Sequence, residues 1–266
     1  MEFLRKFTQA WPGGFFEGNP LDPMGGSTYG VYGYNSILYT IYRVCIRPYM
    51  TPNTTVLEIG PGRGAWTKTF VTSDCLKVYA VDAADPSHTH FWDYIGPDPR
   101  VEYIVVQDFL LTKVPDNSID YFFSFGVFCH LKPEMCEEYV KSLALKIKKG
   151  GQGFLMIADF DKYEECRANS DTLSIGRFLN AQKRKVWLPT KLGFNFSWRY
   201  FRPKMDLEPV SKTSEQNLWN GTDGGFGWYH WGVERACNAF VAAGFEIVEQ
   251  DVEVCPRDPV IHFRKL

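Results

Sequence analysis

The chain has 266 residues, 45% of them hydrophobic and 16% aromatic, and its 29 Lys and Arg residues nearly balance its 31 Asp and Glu residues. This length is enough to bury one large α/β domain, or one domain with a smaller lobe. The near-neutral charge disfavours a protein that binds a nucleic-acid backbone, because such proteins normally carry a basic surplus. No stretch approaches the roughly 18 apolar residues of a membrane span, so we expect no transmembrane helix.

The seven cysteines are scattered, with no C-x-x-C pair and no zinc-ligand spacing. The first residues also lack the apolar run of a signal peptide. An odd number of cysteines without an export signal is typical of reduced thiols in a reducing compartment. The sequence therefore predicts a cytoplasmic protein.

Residues 1–53 are expected to form an N-terminal helical or lid segment. Apolar residues recur at helical spacing over residues 34–47, and two prolines follow them. The simplest interpretation is a helix that packs on a sheet. Ser27, Tyr29 and Tyr34 could in addition fold over a bound nucleotide as part of a lid.

Residues 54–159 alternate between short apolar strands and helical patterns. The predicted strands are Thr55–Ile59, Lys77–Asp82, Glu102–Gln107, Ile119–Phe125 and Gly153–Ala158. Helices are predicted over Ala65–Val71 and from Met135 to Ile147. The second helix should end at residues 148–151, Lys-Lys-Gly-Gly, because basic residues followed by glycine are a common helix stop. Apolar strands that alternate with helices indicate a parallel, doubly wound sheet.

Residues 160–231 interrupt this alternation. They contain five of the eight tryptophans, and eleven Lys or Arg residues against eight Asp or Glu residues. No clean succession of strands and helices is evident in them. We expect an aromatic-rich insertion that forms a cap beside the sheet, or a small core of its own.

The regular pattern returns in residues 232–266. A helix is predicted over Val233–Ala243, followed by strands at Phe245–Val254 and Val260–Phe263 that a short turn joins. Two late strands connected in this way are antiparallel, a common edge for an otherwise parallel sheet. The sequence therefore predicts an α/β fold with a doubly wound, mostly parallel seven-stranded sheet whose last strand is antiparallel.

A glycine-rich run, Glu58-Ile59-Gly60-Pro61-Gly62-Arg63-Gly64, joins the first strand to the first helix. Glycine is needed where the backbone adopts a positive φ or where a ligand comes close to it. A strand that leads through such a turn into a helix makes a nucleotide-sized site at the carboxyl edge of a sheet. Asp82, at the end of the second strand, is suited to bind a ribose cis-diol. The glycines also fit the dinucleotide pattern G-x-G-x-x-A, so a nicotinamide-dependent oxidoreductase stays open at this point.

The order of these features resembles that of the class I S-adenosylmethionine-dependent methyltransferases, over about residues 54–158 and 233–264. The glycine run corresponds to the family motif E/D-x-G-x-G-x-G, and Asp82 to the acid that holds the ribose hydroxyls. Asp108 corresponds to the acid near the adenine amino group. Residues 119–126 correspond to the motif that borders the methionine part and the reacting methyl. The resemblance implies S-adenosyl-L-methionine as cofactor and S-adenosyl-L-homocysteine as product.

The resemblance also implies a set of cofactor-binding residues. They are Glu58, Gly60, Gly62, Gly64, Trp66, Asp82, Ala83, Asp108, Phe109 and Phe125. Two of these have a simpler alternative, since Glu58 could only anchor the glycine loop and Asp108 could only cap a strand end. Asp120 is expected to be a turn residue rather than a ligand.

Methyl transfer to a hydroxyl requires a base near the carboxyl ends of the fourth and fifth strands. His130 follows the fourth strand and is the best-placed candidate, because a neutral histidine suits this role near pH 7; it could instead cap a helix or pack locally. Asp159 could polarise the acceptor or, with Asp161, hold a divalent metal, although two carboxylates alone give such a site little support. His230 could line the acceptor pocket or pack between aromatic rings.

The acceptor is the least constrained part of the interpretation. Residues 124–131 are similar in style to sugar O-methyltransferases, which implies a small-molecule acceptor, a sugar or glycan precursor, and makes nucleic acid an unlikely partner. In this hypothesis the insertion contributes to the acceptor site. An RNA or protein methyltransferase and a non-catalytic S-adenosylmethionine-binding protein remain alternatives. RNA amine methyltransferases often carry Asn/Asp-Pro-Pro-Tyr/Phe after the fourth strand, where this chain has Ser-Phe-Gly-Val.

Overall fold

The structure of the chain is a computed structural model that describes residues 18–23, 36–166 and 227–266. At its centre is a seven-stranded sheet with the order β3-β2-β1-β4-β5-β7-β6. The strands are β1 (Thr55–Ile59), β2 (Lys77–Asp82), β3 (Val101–Val105), β4 (Ile119–Ser124), β5 (Ile147–Met156), β6 (Phe245–Glu249) and β7 (Val260–Lys265). Strands β1 to β5 are parallel, and β7 is antiparallel to both β5 and β6. This arrangement confirms the predicted fold class.

The first described helix differs from a regular α-helix. Helix α1 (Ile37–Ile41) begins after Ser36, whose Oγ accepts the backbone N–H of Tyr39 at 3.0 Å. A π turn (Tyr42–Ile46) and a 3-10 turn (Arg47–Tyr49) continue it. The irregularity precedes Pro48, which has no N–H to donate to the preceding turn. The suggested lid residues Ser27, Tyr29 and Tyr34 lie outside the described residues.

Helices cover both faces of the sheet and divide the core in two. The remaining named helices are α2 (Ala65–Thr72), α3 (Phe91–Ile95), α4 (Pro133–Lys146) and α5 (Val233–Ala242). Alternate residues of β1 face opposite cores: Leu57 packs with α4 and α5, whereas Val56 packs with α1, α2 and α3. All five residues of β1 are buried, as expected for a central strand of a parallel sheet. None of the helices in the described part of the chain is long and apolar enough to cross a membrane.

The predicted end of the helix before β5 is wrong. Helix α4 ends at Lys146, and residues 148–151 belong to β5 instead. The pairing explains the difference, because Ile147 pairs with Ile119, while the next pair along β4 is Tyr121 with Gln152. The Lys-Lys-Gly-Gly run is therefore a bulge within the strand.

The two ends of the aromatic-rich segment lie at the carboxyl end of β5. Residues 160–166 are helical and residues 227–232 lead into α5, whereas residues 167–226 lie outside the described part of the chain. Strand β6 ends at Glu249, so residues 250–259 form a longer connection to β7 than the predicted short turn. This connection lies at the same edge of the sheet, since the Ile157 N–H donates to the Pro259 carbonyl at 3.0 Å.

Candidate active site

The glycine loop joins β1 to α2 at the carboxyl edge of the sheet. Gly60, Gly62 and Gly64 all have positive φ, at 73°, 55° and 95°. A Cβ built on Gly60 would lie 2.0 Å from Cγ2 of Val127, in the loop after β4. Glycine at this position therefore lets the two loops approach each other at the centre of the edge.

Glu58 lies beneath the glycine loop and is only 1% exposed. Thr67, in the first turn of α2, donates from Oγ1 to Glu58 Oε2 at 2.5 Å. The other oxygen, Oε1, is buried with no hydrogen-bond partner among the described residues. Burial raises the pKa of Glu58 to about 8, and the nearby Asp82 carboxylate adds to the shift. Glu58 thus ties the loop to α2 and keeps one buried oxygen that a polar group of a ligand could bind.

Asp82 connects the end of β2 with the glycine loop. Its Oδ2 accepts the backbone N–H of Gly62 at 3.2 Å, and its Oδ1 accepts the N–H of Ala84 at 2.9 Å. Burial raises the pKa of Asp82. Each carboxylate oxygen has a second lone pair, so the fixed carboxylate can still accept hydrogen bonds from a cis-diol.

The ends of β2 and β3 supply the adenine side of the expected pocket. Asp108 is exposed, and its Oδ1 accepts the N–H of Leu110 at 3.0 Å. Phe109 is half-buried, with its ring 4.9 Å from that of Tyr139 in a perpendicular arrangement. Ala83 is half-buried as well and packs against the core. Asp108 therefore has a turn-stabilising bond, while its side chain stays accessible to a ligand.

Two of the expected cofactor residues have side chains in the apolar core. Trp66 and Phe125 are 4% and 6% exposed, and their ring centroids are 5.4 Å apart. Both pack against Phe123 of β4. Their aromatic rings stabilise the junction of α2 with β4, so any contact with a cofactor would involve their backbone.

Residues 227–232, here called the bridging segment, connect the ends of β4 and β5. The Tyr229 N–H donates to the Cys129 carbonyl at 2.8 Å, and the Trp231 N–H donates to the Ala158 carbonyl at 3.1 Å. The indole of Trp228 stacks on Phe160, with ring centroids 4.8 Å apart. The segment therefore lies along the carboxyl edge where a methyl acceptor would be expected.

The bridging segment orients His130, which ends a 3-10 turn after β4 (Phe128–His130). His130 Nδ1 lies 2.8 Å from the carbonyl oxygen of Gly227. A carbonyl only accepts hydrogen bonds, so the proton of the neutral ring is on Nδ1, and Nε2 is the unprotonated nitrogen. Burial lowers the pKa of His130, and the charge of Arg257 lowers it further. The ring is therefore neutral at pH 7, with its basic atom at Nε2.

His230 is held in the opposite tautomer. The backbone N–H of Phe160 donates to His230 Nδ1 at 3.0 Å. Because Nδ1 accepts this bond, the neutral ring carries its proton on Nε2. His230 is thus arranged as a hydrogen-bond donor, whereas His130 is arranged as an acceptor.

Comparison with known families identifies the central part of the chain. Residues 57–155 match a family model described as a methyltransferase domain. This segment is a class I S-adenosylmethionine-dependent methyltransferase domain. It contains the glycine loop, Asp82, Asp108 and the turn that carries His130. No curated protein matches the chain.

Solved structures show the same fold as the methyltransferase domain and its C-terminal strands. An S-adenosylmethionine-dependent methyltransferase from Mesorhizobium loti is 14% identical, with a TM-score of 0.53 over 82% of this chain and 95% of that one. One from Methanosarcina mazei is also 14% identical, with a TM-score of 0.51 over 83% of this chain and 96% of that one. A proposed one from Listeria monocytogenes is 16% identical, with a TM-score of 0.52 over 83% and 95%. At these identities the similarity shows the fold alone.

The two acids that follow β5 differ in their surroundings. Asp159 is buried, and its Oδ1 accepts the N–H groups of Asp161 and Lys162 at 2.8 and 3.2 Å. Its Oδ2 accepts the N–H of Val233 at 2.9 Å. The side chain of Asp161 is exposed. Within the described ranges, no group of three or more His, Cys, Asp or Glu side chains is placed to hold a metal ion.

Arg257 is a residue of this edge that the sequence interpretation missed. It lies in the β6–β7 connection, with its guanidinium 5.5 Å from the centre of the Trp228 ring. Its Nε donates to Oδ2 of Asp258 at 2.6 Å. The only sequence signal was a turn-rich Cys-Pro-Arg-Asp-Pro stretch, which does not reveal that the connection returns to the carboxyl end of β5.

Proposed function

We propose that the chain is an S-adenosylmethionine-dependent O-methyltransferase that acts on a hydroxyl of a small molecule, with a sugar or glycan precursor as the acceptor. The hydrogen bond from His130 Nδ1 to the Gly227 carbonyl carries the proposal. It leaves Nε2 as the basic atom on a neutral ring at the carboxyl edge of β4. A hydroxyl acceptor needs such a base, because it must lose its proton as the methyl group arrives.

The cofactor supplies the activated methyl group together with its own leaving group. In the proposed site, the glycine loop and Glu58 would hold its methionine part, and Asp82 would bind its ribose. Asp108, Ala83 and Phe109 would surround its adenine. The buried Oε1 of Glu58, which has no partner among the described residues, supports this assignment, because buried polar atoms normally bond to a protein group, a ligand or water.

The protein would act on the acceptor through its two histidines. His130 Nε2 accepts the hydroxyl proton, while its Nδ1–H stays bonded to Gly227 and keeps the ring oriented. His230 donates from Nε2–H to an oxygen of the acceptor. Asp159 is less suited to either role, since its two oxygens already cap the helix starts at residues 160 and 233.

The proposed domain division follows from this arrangement. In this proposal residues 54–159 and 232–266 are the cofactor-binding domain, and residues 1–53 are an N-terminal helical or lid segment. Residues 160–231 form an insertion that contributes to the acceptor site. Support comes from two residues of the insertion: the Gly227 carbonyl orients His130, and the Phe160 N–H orients His230.

A turnover assay tests the function. Purified protein is incubated with labelled S-adenosylmethionine and a panel of sugars, phenols, RNA and protein, and we expect transfer to small hydroxyl compounds. In His130→Asn the amide can keep the bond to Gly227 but has no basic nitrogen, so kcat should fall about 10²–10⁴-fold. Calorimetry should show unchanged binding of S-adenosylhomocysteine.

The exposed His90 provides the matched control, since His90→Asn should keep full turnover. Wild-type kcat/KM should also rise with pH around a pKa below the ordinary 6.5 of histidine, and His130→Asn should lack this limb. Transfer to RNA or protein alone would contradict the small-molecule acceptor. Cofactor binding without any transfer would favour a non-catalytic protein, and full turnover by His130→Asn would remove His130 from the role of base.

A further inference from the structure

We propose that Arg257 binds an anionic group of the methyl acceptor, a carboxylate or a phosphate, and so selects charged hydroxyl compounds over neutral ones. This inference rests on the proposed function, because it concerns the acceptor of the same site. The observation that carries it is an oriented guanidinium on the ring of Trp228, next to Gly227, whose carbonyl bonds the proposed base His130.

The backbone of the β6–β7 connection holds Arg257 at the active edge. Asp251 Oδ1 accepts the N–H groups of Glu253 and Val260 at 3.0 and 3.1 Å, which closes the connection on itself. The Pro259 carbonyl is bonded to the N–H of Ile157, at the end of β5. A side chain on this connection therefore has a defined position relative to the carboxyl end of β5.

Two contacts orient the guanidinium. Asp258, which is 1% exposed, accepts from Arg257 Nε at 2.6 Å, and the indole of Trp228 lies beneath the guanidinium. The Arg257 side chain itself is 39% exposed, so it can be reached from solvent. The buried Asp258 therefore orients the Arg257 side chain before any ligand binds. Binding a ligand then costs Arg257 little further rotamer entropy.

Arg257 is linked to the proposed base through the bridging segment. Its guanidinium lies 5.5 Å from the centre of the Trp228 ring, and the carbonyl oxygen of the preceding residue, Gly227, lies 2.8 Å from His130 Nδ1. The positive charge of Arg257 also lowers the pKa of His130. When the anionic group of a molecule binds at Arg257, a hydroxyl of the same molecule would therefore be directed towards His130. Together, Arg257 and His130 would favour an acceptor that carries both an acidic group and a hydroxyl.

The guanidinium suits such an anion better than an ammonium would. It is planar, always charged, and presents paired N–H donors that match the two oxygens of a carboxylate or phosphate. Lys162 lies at the same edge of the sheet, and like Arg257 it forms an ion pair with an acid, in this case Asp251. Lys162 therefore provides a matched control for the loss of one positive charge at this edge.

The test compares binding of D-glucose, D-glucuronate and glucose 1-phosphate to protein saturated with S-adenosylhomocysteine, by calorimetry. We expect at least tenfold tighter binding of one or both charged sugars than of glucose, and the two charged probes distinguish carboxylate from phosphate recognition. Arg257→Met combined with Asp258→Asn should abolish the preference without leaving a buried unpaired charge. Lys162→Met should keep the preference.

Arg257→Lys gives a second test that keeps the ion pair with Asp258, and it should reduce the preference at least threefold because the paired donors are lost. Equal binding of charged and neutral sugars by the wild-type protein would overturn the inference, as would a preference that survives in both Arg257 variants. A different result would contradict the proposed function and leave the inference about Arg257 intact: the charged sugars bind, but no hydroxyl compound is methylated in the turnover assay.

Discussion

The carboxylate of Asp159 accepts a hydrogen bond from the backbone N–H of Val233, which is 2.9 Å away and 74 positions later in the chain. Its other oxygen accepts the N–H groups of Asp161 and Lys162. The first N–H groups of a helix have no partner within the helix, so one side chain satisfies donors at the starts of two helices. Asp159 thus joins the two parts of the fold that the insertion separates.

Removal of this cap should destabilise the protein rather than change its chemistry. Asp159→Ala should lower the free energy of unfolding by about 1–3 kcal/mol, because buried N–H groups lose their acceptor. Denaturant unfolding measures the loss, and Asp161→Ala, with an exposed side chain, is the control. If Asp159→Ala kept its stability but lost methyl transfer, the carboxylate would have to act on the acceptor.

Stability should fall with rising pH because of Glu58. Its folded-state pKa of about 8 lies above the ordinary value of 4.5, so the folded state keeps a proton that the unfolded state has released. By linkage, this contribution is present below about pH 4.5 and is lost as pH rises to about 8, with a total on the order of 5 kcal/mol. Unfolding measured across this range should show the slope in the wild-type protein.

Glu58→Gln should remove that slope, because the amide does not titrate and can still accept from Thr67. The exposed Glu102 supplies the control, and Glu102→Gln should leave the slope unchanged. The same slope in wild-type protein and Glu58→Gln would mean that Glu58 is ionised in the folded state.

Asp82 should contribute to cofactor affinity through two routes. It can bind the ribose hydroxyls directly, and it holds the glycine loop through Gly62. Asp82→Ala should weaken S-adenosylhomocysteine binding at least tenfold by calorimetry. Asp98→Ala provides a control, because Asp98 is paired with Arg100 away from the glycine loop. Equal affinity of the wild-type protein and Asp82→Ala would remove Asp82 from the cofactor site.

Gly60→Ala should separate backbone strain from steric overlap. The new Cβ would be in a positive-φ residue and would meet Cγ2 of Val127, so we expect a loss of more than 1 kcal/mol in stability. Val127→Ala removes the overlapping atom, and the double variant should recover part of the stability but not all of it. Thermal and denaturant unfolding of the three variants provide the comparison. Additive losses in the double variant would show that the two side chains do not meet.

The parts of the fold that local sequence determines were predictable. Strands β1 and β2 have the predicted bounds, because each is a mainly apolar run with a clear end: Gly60 follows β1, and the polar Asp82 ends β2. The bulge at residues 148–151 was not predictable, since it depends on which residue of β4 pairs with Ile147. A basic and glycine-rich run is equally compatible with a helix end.

The candidate site, too, could be predicted from the sequence only in part. His130 and His230 were recognisable as residues near the acceptor, but their partners lie 97 and 70 positions away in the chain. Only the folded backbone decides which ring nitrogen carries the proton. Arg257 could not be identified either, because its position depends on a connection that folds back to the end of β5.

The bridging segment brings the two ends of the insertion together, and this affects how freely the length of the insertion can vary. The Trp231 and Gly232 N–H groups both donate to the Ala158 carbonyl, so the chain leaves the sheet and re-enters it at one point. The rings of Tyr163 and Trp228, near the two ends of the excursion, are only 5.2 Å apart. The entropy of closing a loop grows only with the logarithm of its length. The chain between these ends can therefore change in length through insertions and deletions without displacing the strands of the sheet.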